Sequence, residues 1–224
     1  MKHSGVLALL ADLVYPRRCV WCGNVLGFCK TPCACREERK RLCLPAHPLA
    51  TPKDIFPWNL QAMYACYRYE EPVRGAVLRL KFEEEVALAA PLGQRLADIA
   101  KACGLHNSCD AIVPVPISVQ TRRTRGYNQS QLLAQALARE LGLPMPKDAL
   151  RKLRHTRPQR SLEREERLEN PRDAYRAYGE LVRGRHILLV DDIKTTGSTL
   201  NHCAEALLAQ GAESCTALCV TAVV

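Results

Sequence analysis

Three observations predict an α/β chain, a parallel sheet flanked by helices, with a small Cys-rich module at its N-terminus. Strand-like and helix-like segments alternate from residue 110 to residue 224, the pattern of strands joined by helical crossovers. Two of the strand-like runs, Ile187–Val190 and Ser214–Val224, are apolar without a regular alternation, as strands covered on both faces are. Six of the 12 cysteines fall within the first 43 residues, while the rest sit singly at apolar positions and read as small core residues.

Residues 1–48 are predicted to form an N-terminal helix and a zinc-binding module. Val6, Leu7, Leu10, Leu13 and Val14 follow helical spacing around Asp12, so this segment reads as a short amphipathic helix rather than a signal peptide or a membrane span. The rest of the module is basic and has little periodic hydrophobicity, so a metal ion has to staple it. Pro48, Pro52 and Pro57 mark a linker, and residues 59–224 make up the second domain. With 224 residues and 47% hydrophobic composition, the chain is long enough for one substantial core.

Within that domain MYACYRYEEP alternates as a strand does, and VRGAVLRLKF shows helical spacing through Val73, Val77, Leu78 and Leu80. LAAPLGQRLADIAKAC continues as a helix. DAIVPVP is a short strand stopped by its prolines. NQSQLLAQALARELG is a helix ending at Gly142. Residues 151–172 are densely charged and lack apolar periodicity, which predicts a long mobile loop or an exposed helix. RHILLVDD is a buried strand ending on two acids, STLNHCAEALLAQG a helix closed by Gly211, and SCTALCVTAVV a final buried strand.

The formal net charge of +9 favours phosphorylated small molecules, polyanions or acidic surfaces as partners. The stretch VDDIKTTGSTL narrows this. A loop that follows a central strand and opens a helix presents free amides and the positive end of the helix dipole, which suit an anion. Gly197 permits close approach, and Thr195, Thr196, Ser198 and Thr199 add hydroxyl donors for a phosphate monoester. Asp191 and Asp192 would repel that phosphate, but carboxylates accept hydrogen bonds from the hydroxyls of an adjoining ribose. Lys194, between the two groups, either reaches phosphate or faces solvent.

At these residues the sequence resembles the type I phosphoribosyltransferases, whose mark is a hydrophobic run, two acids and a TTG loop that binds 5-phosphoribosyl-1-diphosphate. YRYEEPVRGAVLRLKF, VPVPISVQTRRTRGYNQSQLLAQALA and LRHTRPQRSLEREERLENPRDAYRAY, in that order, make it similar to one branch, the ComF competence-protein family. The resemblance implies a phosphoribosyltransferase-like domain with Asp191 and Asp192 as catalytic residues. It also implies a diphosphate loop at Arg122, Arg123, Arg125 and Gly126, residue types that suit diphosphate. A flexible closing loop is implied at Thr156, Gln159, Leu162, Arg167 and Asn170. Mg²⁺ would accompany the phosphoribosyl ligand. The implied role is in DNA uptake during natural competence, in the cytoplasm, handling single-stranded DNA beside competence-machinery proteins. The alternative is a metabolic phosphoribosyltransferase with an unidentified acceptor.

Cys19 and Cys22 have the spacing of a zinc knuckle, since two thiolates separated by two residues can face one tetrahedral ion. ComF proteins usually place a second such pair nearby. Here Cys29 and Cys33 are favoured to complete the site, with Cys35 and Cys43 as alternates, and His47 reads as exposed.

Overall fold

A computed structural model of the chain describes residues 18–26, 33, 35–51, 58–153 and 174–224. The predicted N-terminal helix, Cys29, and the flexible-loop positions Thr156, Gln159, Leu162, Arg167 and Asn170 lie outside these residues. The four main strands are β1 (Ala62–Arg68), β2 (Ala111–Pro114), β5 (His186–Lys194) and β6 (Ser214–Ala222), and they form one parallel sheet in the order β1-β6-β5-β2. Every residue of β6 is buried, which is why its sequence shows no alternation between apolar and polar positions.

Helices cover both faces. On one face Leu188, Val190, Leu218 and Val220 meet α3 (Ala89–Ala102) and α6 (Gln129–Leu141) through Leu92, Leu96, Leu133 and Leu137. On the other, Ile187, Leu189, Ala217 and Cys219 pack with Leu200, Cys203 and Leu207 of α8 (Ser198–Leu208). All six cysteines after position 43 are fully or partly buried. The shorter helices are α1 (Cys35–Arg41), α2 (Val73–Phe82), α4 (Leu105–Ser108), α5 (Val119–Arg125) and α7 (Gly179–Val182).

Three local features depart from the sequence reading. Strand β5 does not end on its acids; it continues to Lys194 because Ile193 and Lys194 keep their register with Thr221 and Ala222 of β6. The helices at 73–82 and 89–102 are separate: Glu84 sits at φ 58°, and a single 3₁₀ turn, Val86–Leu88, leads into α3. The charged region begins as a strand, since β3 (Leu150–Lys152) pairs antiparallel with β4 (Tyr175–Ala177), Lys152 opposite Tyr175.

The cysteine module leans on this core. The Leu44 amide donates to the Cys66 carbonyl at 3.0 Å and the Arg68 amide to the Leu42 carbonyl at 2.9 Å, tying residues 42–44 to β1. Leu42 and Leu44 are buried, and Trp21 meets Tyr67 of β1 edge to face at 5.6 Å.

The tightest helix contact is between α3 and α6. A Cβ placed on Gly93 would stand 2.3 Å from the Ala136 Cβ, so the helices approach as closely as they do only because position 93 has no side chain. Gly93→Ala is expected to cost roughly 1–3 kcal/mol by overpacking despite its better helix propensity, read as a lower urea midpoint. An unchanged or raised midpoint would show that the helices can separate freely.

Candidate functional site

The carboxyl ends of β2 and β5 open into a cleft of about 300 Å³ whose lining includes Lys81, Ser118, Ser130, Lys152, Tyr175, Asp191, Asp192, Thr195 and Thr199. It therefore gathers residues from α2, the loop after β2, α6, the β3–β4 hairpin, β5 and the start of α8, at the strand edge where open α/β sheets take ligands.

The two acids sit at its floor. Asp191 and Asp192 are 8% and 3% exposed, which is rare for carboxyl groups without close partners. The Ser130 hydroxyl donates to Asp191 Oδ1 at 2.7 Å, and the Asp192 amide donates to the same oxygen at 2.9 Å. Asp192 Oδ1 accepts from the Ile193 amide at 2.9 Å. Its other oxygen, Oδ2, makes no hydrogen bond and lies 3.5 Å from Lys81 Nζ. Burial, reinforced by the Asp192 charge, pushes the Asp191 carboxyl well above the usual carboxylate range; the Ser130 hydroxyl only partly offsets this.

Ser130 is placed by its neighbour. Asn128 caps α6 by accepting from the Ser130 amide at 3.0 Å and anchors itself by donating to the Val115 carbonyl at 3.0 Å, an Asn N-cap doing two jobs at once. Tyr175 of β4 lines the cleft together with Thr199, and burial raises its hydroxyl pKa. Sequence reading missed Lys81, Ser130, Lys152 and Tyr175. For Ser130 a signal existed in the Asn-Gln-Ser helix start.

The hydroxyl loop follows β5. Gly197 is at φ +92°, and a Cβ there would stand 3.2 Å from Trp58, so both its backbone and its surroundings call for glycine. Thr196 Oγ1 accepts from the Ser198 amide at 3.3 Å, and α8 starts at Ser198 with its first-turn amides toward the loop. Thr195 and Thr199 line the cleft. Lys194 donates to the Val223 carbonyl at 3.3 Å and is not among the cleft residues.

Arg122, Arg123 and Arg125 form the last turn of α5 rather than an open loop, and Gly126 closes that helix at φ +82°. None of them lines the acidic cleft. Arg125 hydrogen-bonds Gln129 and stacks 5.2 Å from the Phe82 ring. Arg122 lines a second cleft of about 430 Å³ with Lys147, Arg151 and Lys152, walled by Pro116, Ile117 and Met145. Pro116, Ile117 and Lys152 border both clefts.

The sulfurs of Cys19, Cys22, Cys33 and Cys35 all lie within 4.8 Å of one another. The Cys19–Cys35 and Cys22–Cys33 separations are 3.5 and 3.4 Å, close to the edge of roughly 3.8 Å expected for four thiolates around one zinc ion. Among the described residues the fourth sulfur is that of the alternate Cys35, the first residue of α1. The other alternate, Cys43, stands apart, its thiol donating to the Arg39 carbonyl at 3.6 Å. Burial opposes ionisation of Cys19, but the amides of Cys22 and Trp21 bring it down to about 7. Burial first, then the neighbouring thiols, push Cys35 up. Four sulfurs this close together suit a divalent cation, which removes the repulsion between their thiolates.

The raised Asp191 pKa has a measurable consequence. The folded chain retains a proton that the unfolded chain gives up near pH 4, so this site's stability is full below about pH 4 and is lost as pH rises toward the folded value. Asp191→Asn, which still accepts from Ser130, is expected to raise the unfolding midpoint of the unliganded protein near pH 8, with the gain shrinking as pH falls to about 4. A pH-independent difference between the two proteins would contradict the buried-proton account.

Comparison with known proteins agrees with this geometry. Residues 128–224 match the phosphoribosyl transferase domain model. The DNA utilization protein YhgH of Salmonella typhi is 32% identical over 98% of this chain and 91% of its own length. Competence protein F of Haemophilus influenzae is 34% identical over 65% of this chain and 66% of its own. Competence protein ComFC of Bacillus subtilis is 32% identical over 45% of this chain and 39% of its own. With a relative this similar along nearly its whole length and a phosphoribosyl transferase match that includes Asp191 and Asp192, the chain belongs to the ComF family of the phosphoribosyltransferase superfamily.

Proposed function

We propose that the acidic cleft binds 5-phosphoribosyl-1-diphosphate and that the chain uses this ligand in the handling of single-stranded DNA during DNA uptake. The observation that carries the ligand is the convergence of Asp191, Asp192, Lys81 and the Thr195–Thr199 loop on one cleft. Ribose hydroxyls donate to the two carboxyls, supplying the hydrogen bonds that Asp192 Oδ2 lacks. The 5-phosphate takes the amides and hydroxyls at the start of α8. Lys81 lies beside the carboxyls, where a diphosphate attached to the ribose can accept from its ammonium group.

The carboxylate oxygen of Asp192 that lacks a hydrogen bond is a hard donor of the kind that would hold a Mg²⁺ ion carried by the ligand, and such an ion would supply charge neutralisation to a leaving diphosphate. The chain's own contribution is to hold the ribose by its hydroxyls. It also keeps carboxylate charge beside the anomeric carbon as positive character develops there. In the cysteine module, the four sulfurs suit a structural zinc ion.

The DNA half of the proposal draws on the names of the relatives, a DNA utilization protein and competence proteins, and on the exposed Arg122 and Arg123 of α5. These lie outside the acidic cleft and can bind a phosphodiester backbone while that cleft is occupied. The reading places the protein in the cytoplasm beside competence-machinery proteins. A metabolic phosphoribosyltransferase is favoured instead by the second cleft, which adjoins the first through Pro116, Ile117 and Lys152 and is large enough for a small acceptor.

Replacing Asp191 and Asp192 together by Ala is expected to lower affinity for 5-phosphoribosyl-1-diphosphate by roughly a hundredfold or more in calorimetry, about the loss of two charge-assisted hydrogen bonds, with the fold intact. Unchanged affinity in the double variant would remove the ligand assignment. The two functional readings separate in a diphosphate-release assay run with amines, nucleobases or single-stranded DNA. Release stimulated only by a small acceptor supports the metabolic enzyme. Salt-sensitive DNA binding without such release supports the DNA-handling role.

A further inference from the structure

Each of the last four residues of α2, Arg79 to Phe82, contacts a different part of the chain. Arg79 Nη2 donates to the carbonyls of Val20 at 2.9 Å and Trp21 at 3.1 Å, the two residues between Cys19 and Cys22, while its Nε donates to Glu85 at 3.1 Å. The Leu80 carbonyl accepts from the Tyr127 hydroxyl. Lys81 reaches Asp192. Phe82 lies under the Arg125 guanidinium. Residues two apart on a helix point about 200° from one another, so Arg79 faces the cysteine centre and Lys81 faces the cleft from opposite sides of the same turn.

The Arg79 contact meets the cysteine knuckle at its backbone. The two carbonyls it binds belong to the turn between Cys19 and Cys22, which joins two of the four sulfurs. The guanidinium therefore holds the Cys19–Cys22 turn by its backbone. Only a planar fork meets two adjacent carbonyls and a carboxylate together. The Arg79 side chain is 14% exposed against 48% for its partner Glu85, so water competes weakly for it. A loaded centre would fix both ends of this turn, whereas an empty one would leave the thiols free to turn and release the carbonyls from their set direction.

We infer that Arg79 is a positioning residue through which metal occupancy of the Cys19, Cys22, Cys33 and Cys35 centre sets the placement of Lys81 over Asp192. The cysteine module is then a control element for the cleft as well as a folding staple. Losing the metal loosens the α2 turn, frees Lys81 from the acidic pair and weakens the hold on an anionic ligand. The ligand half of this statement rests on the proposed reading of the cleft; the movement of Lys81 does not.

The test uses the full chain, zinc-loaded or chelator-treated, without ligand. An amine-reactive acylating reagent is applied, and modification of Lys81 is followed by mass spectrometry, with exposed Lys101 on α3 as the internal reference. In the wild type, zinc removal is expected to speed Lys81 modification about fivefold, the low end of coupling between sites, with Lys101 unchanged. Arg79→Met is expected to react at the fast rate with zinc present and to be indifferent to its removal, and Arg79→Lys to restore part of the zinc dependence. A wild-type rate that ignores zinc, or a zinc-loaded Arg79→Met protein that reacts like the wild type, overturns the inference. Because the wild-type comparison stands alone, a variant that fails to fold does not remove the test. Calorimetry with inorganic diphosphate and Mg²⁺ supplies the second arm, with affinity expected to fall by about the same factor in the stripped and Arg79→Met proteins. If no form binds diphosphate while Lys81 still tracks zinc, the coupling stands and the proposed reading of the cleft falls.

Discussion

Two adjacent carboxyl groups buried near the carboxyl end of a central strand are the constraint around which this molecule is organised. Burying even one costs free energy unless it is hydrogen-bonded, paired or neutralised. Here the demand is met piecemeal: Ser130 and two backbone amides serve Asp191 Oδ1 and Asp192 Oδ1, and Lys81 stands beside Asp192 Oδ2. Each of those groups must itself be placed. Ser130 depends on the Asn128 cap, and the cap on the Val115 carbonyl at the end of β2. Lys81 depends on the last turn of α2. The strands and helices around the cleft are therefore tied to the acids as much as to the apolar core.

This arrangement leaves the site unfinished. Asp192 Oδ2 has no hydrogen-bond donor, and Asp191 is pushed toward its neutral form. A ligand that brings hydroxyl donors and a cation completes both carboxyls together, so binding energy is concentrated where the folded chain is least satisfied. Sites of this kind lower the stability of the free protein in exchange for affinity.

What could be read from the sequence and what could not divide along a physical line. Ile187–Val190, the acids and the TTG loop are contiguous, so their chemistry is legible from neighbouring residues alone. The same holds for Cys19 and Cys22. Lys81 was opaque because on its own helix it is one basic residue among several; only the fold places it 3.5 Å from an acid more than one hundred positions away. Arg122, Arg123 and Arg125 were assigned to a diphosphate loop by resemblance, and the fold sets them in the last turn of α5, closed by Gly126, without any of them lining the acidic cleft. Strand β3 was hidden because Leu150–Lys152 has no periodicity to detect, and its partner Tyr175–Ala177 stands more than twenty residues later. Gly93 carries no signal at all until Ala136 is seen against it.

The cysteine module shows why sequence distance is a poor guide to independence. Residues 1–48 hold too few apolar side chains for a core of their own, which suggested a metal-stapled appendage. The structure adds a second support: Leu42 and Leu44 are buried in the larger core, Arg39 lies 4.2 Å over the Trp21 ring, and Trp21 in turn meets Tyr67 of β1. A small module that borrows its neighbour's core cannot move without disturbing that neighbour. Strand β1, which carries Tyr67, and helix α2, which carries Arg79, are consecutive elements joined by a short turn, and α2 ends at the cleft. The chain therefore has a continuous packed route from four sulfurs to two carboxyls, built from residues that each also serve ordinary stability.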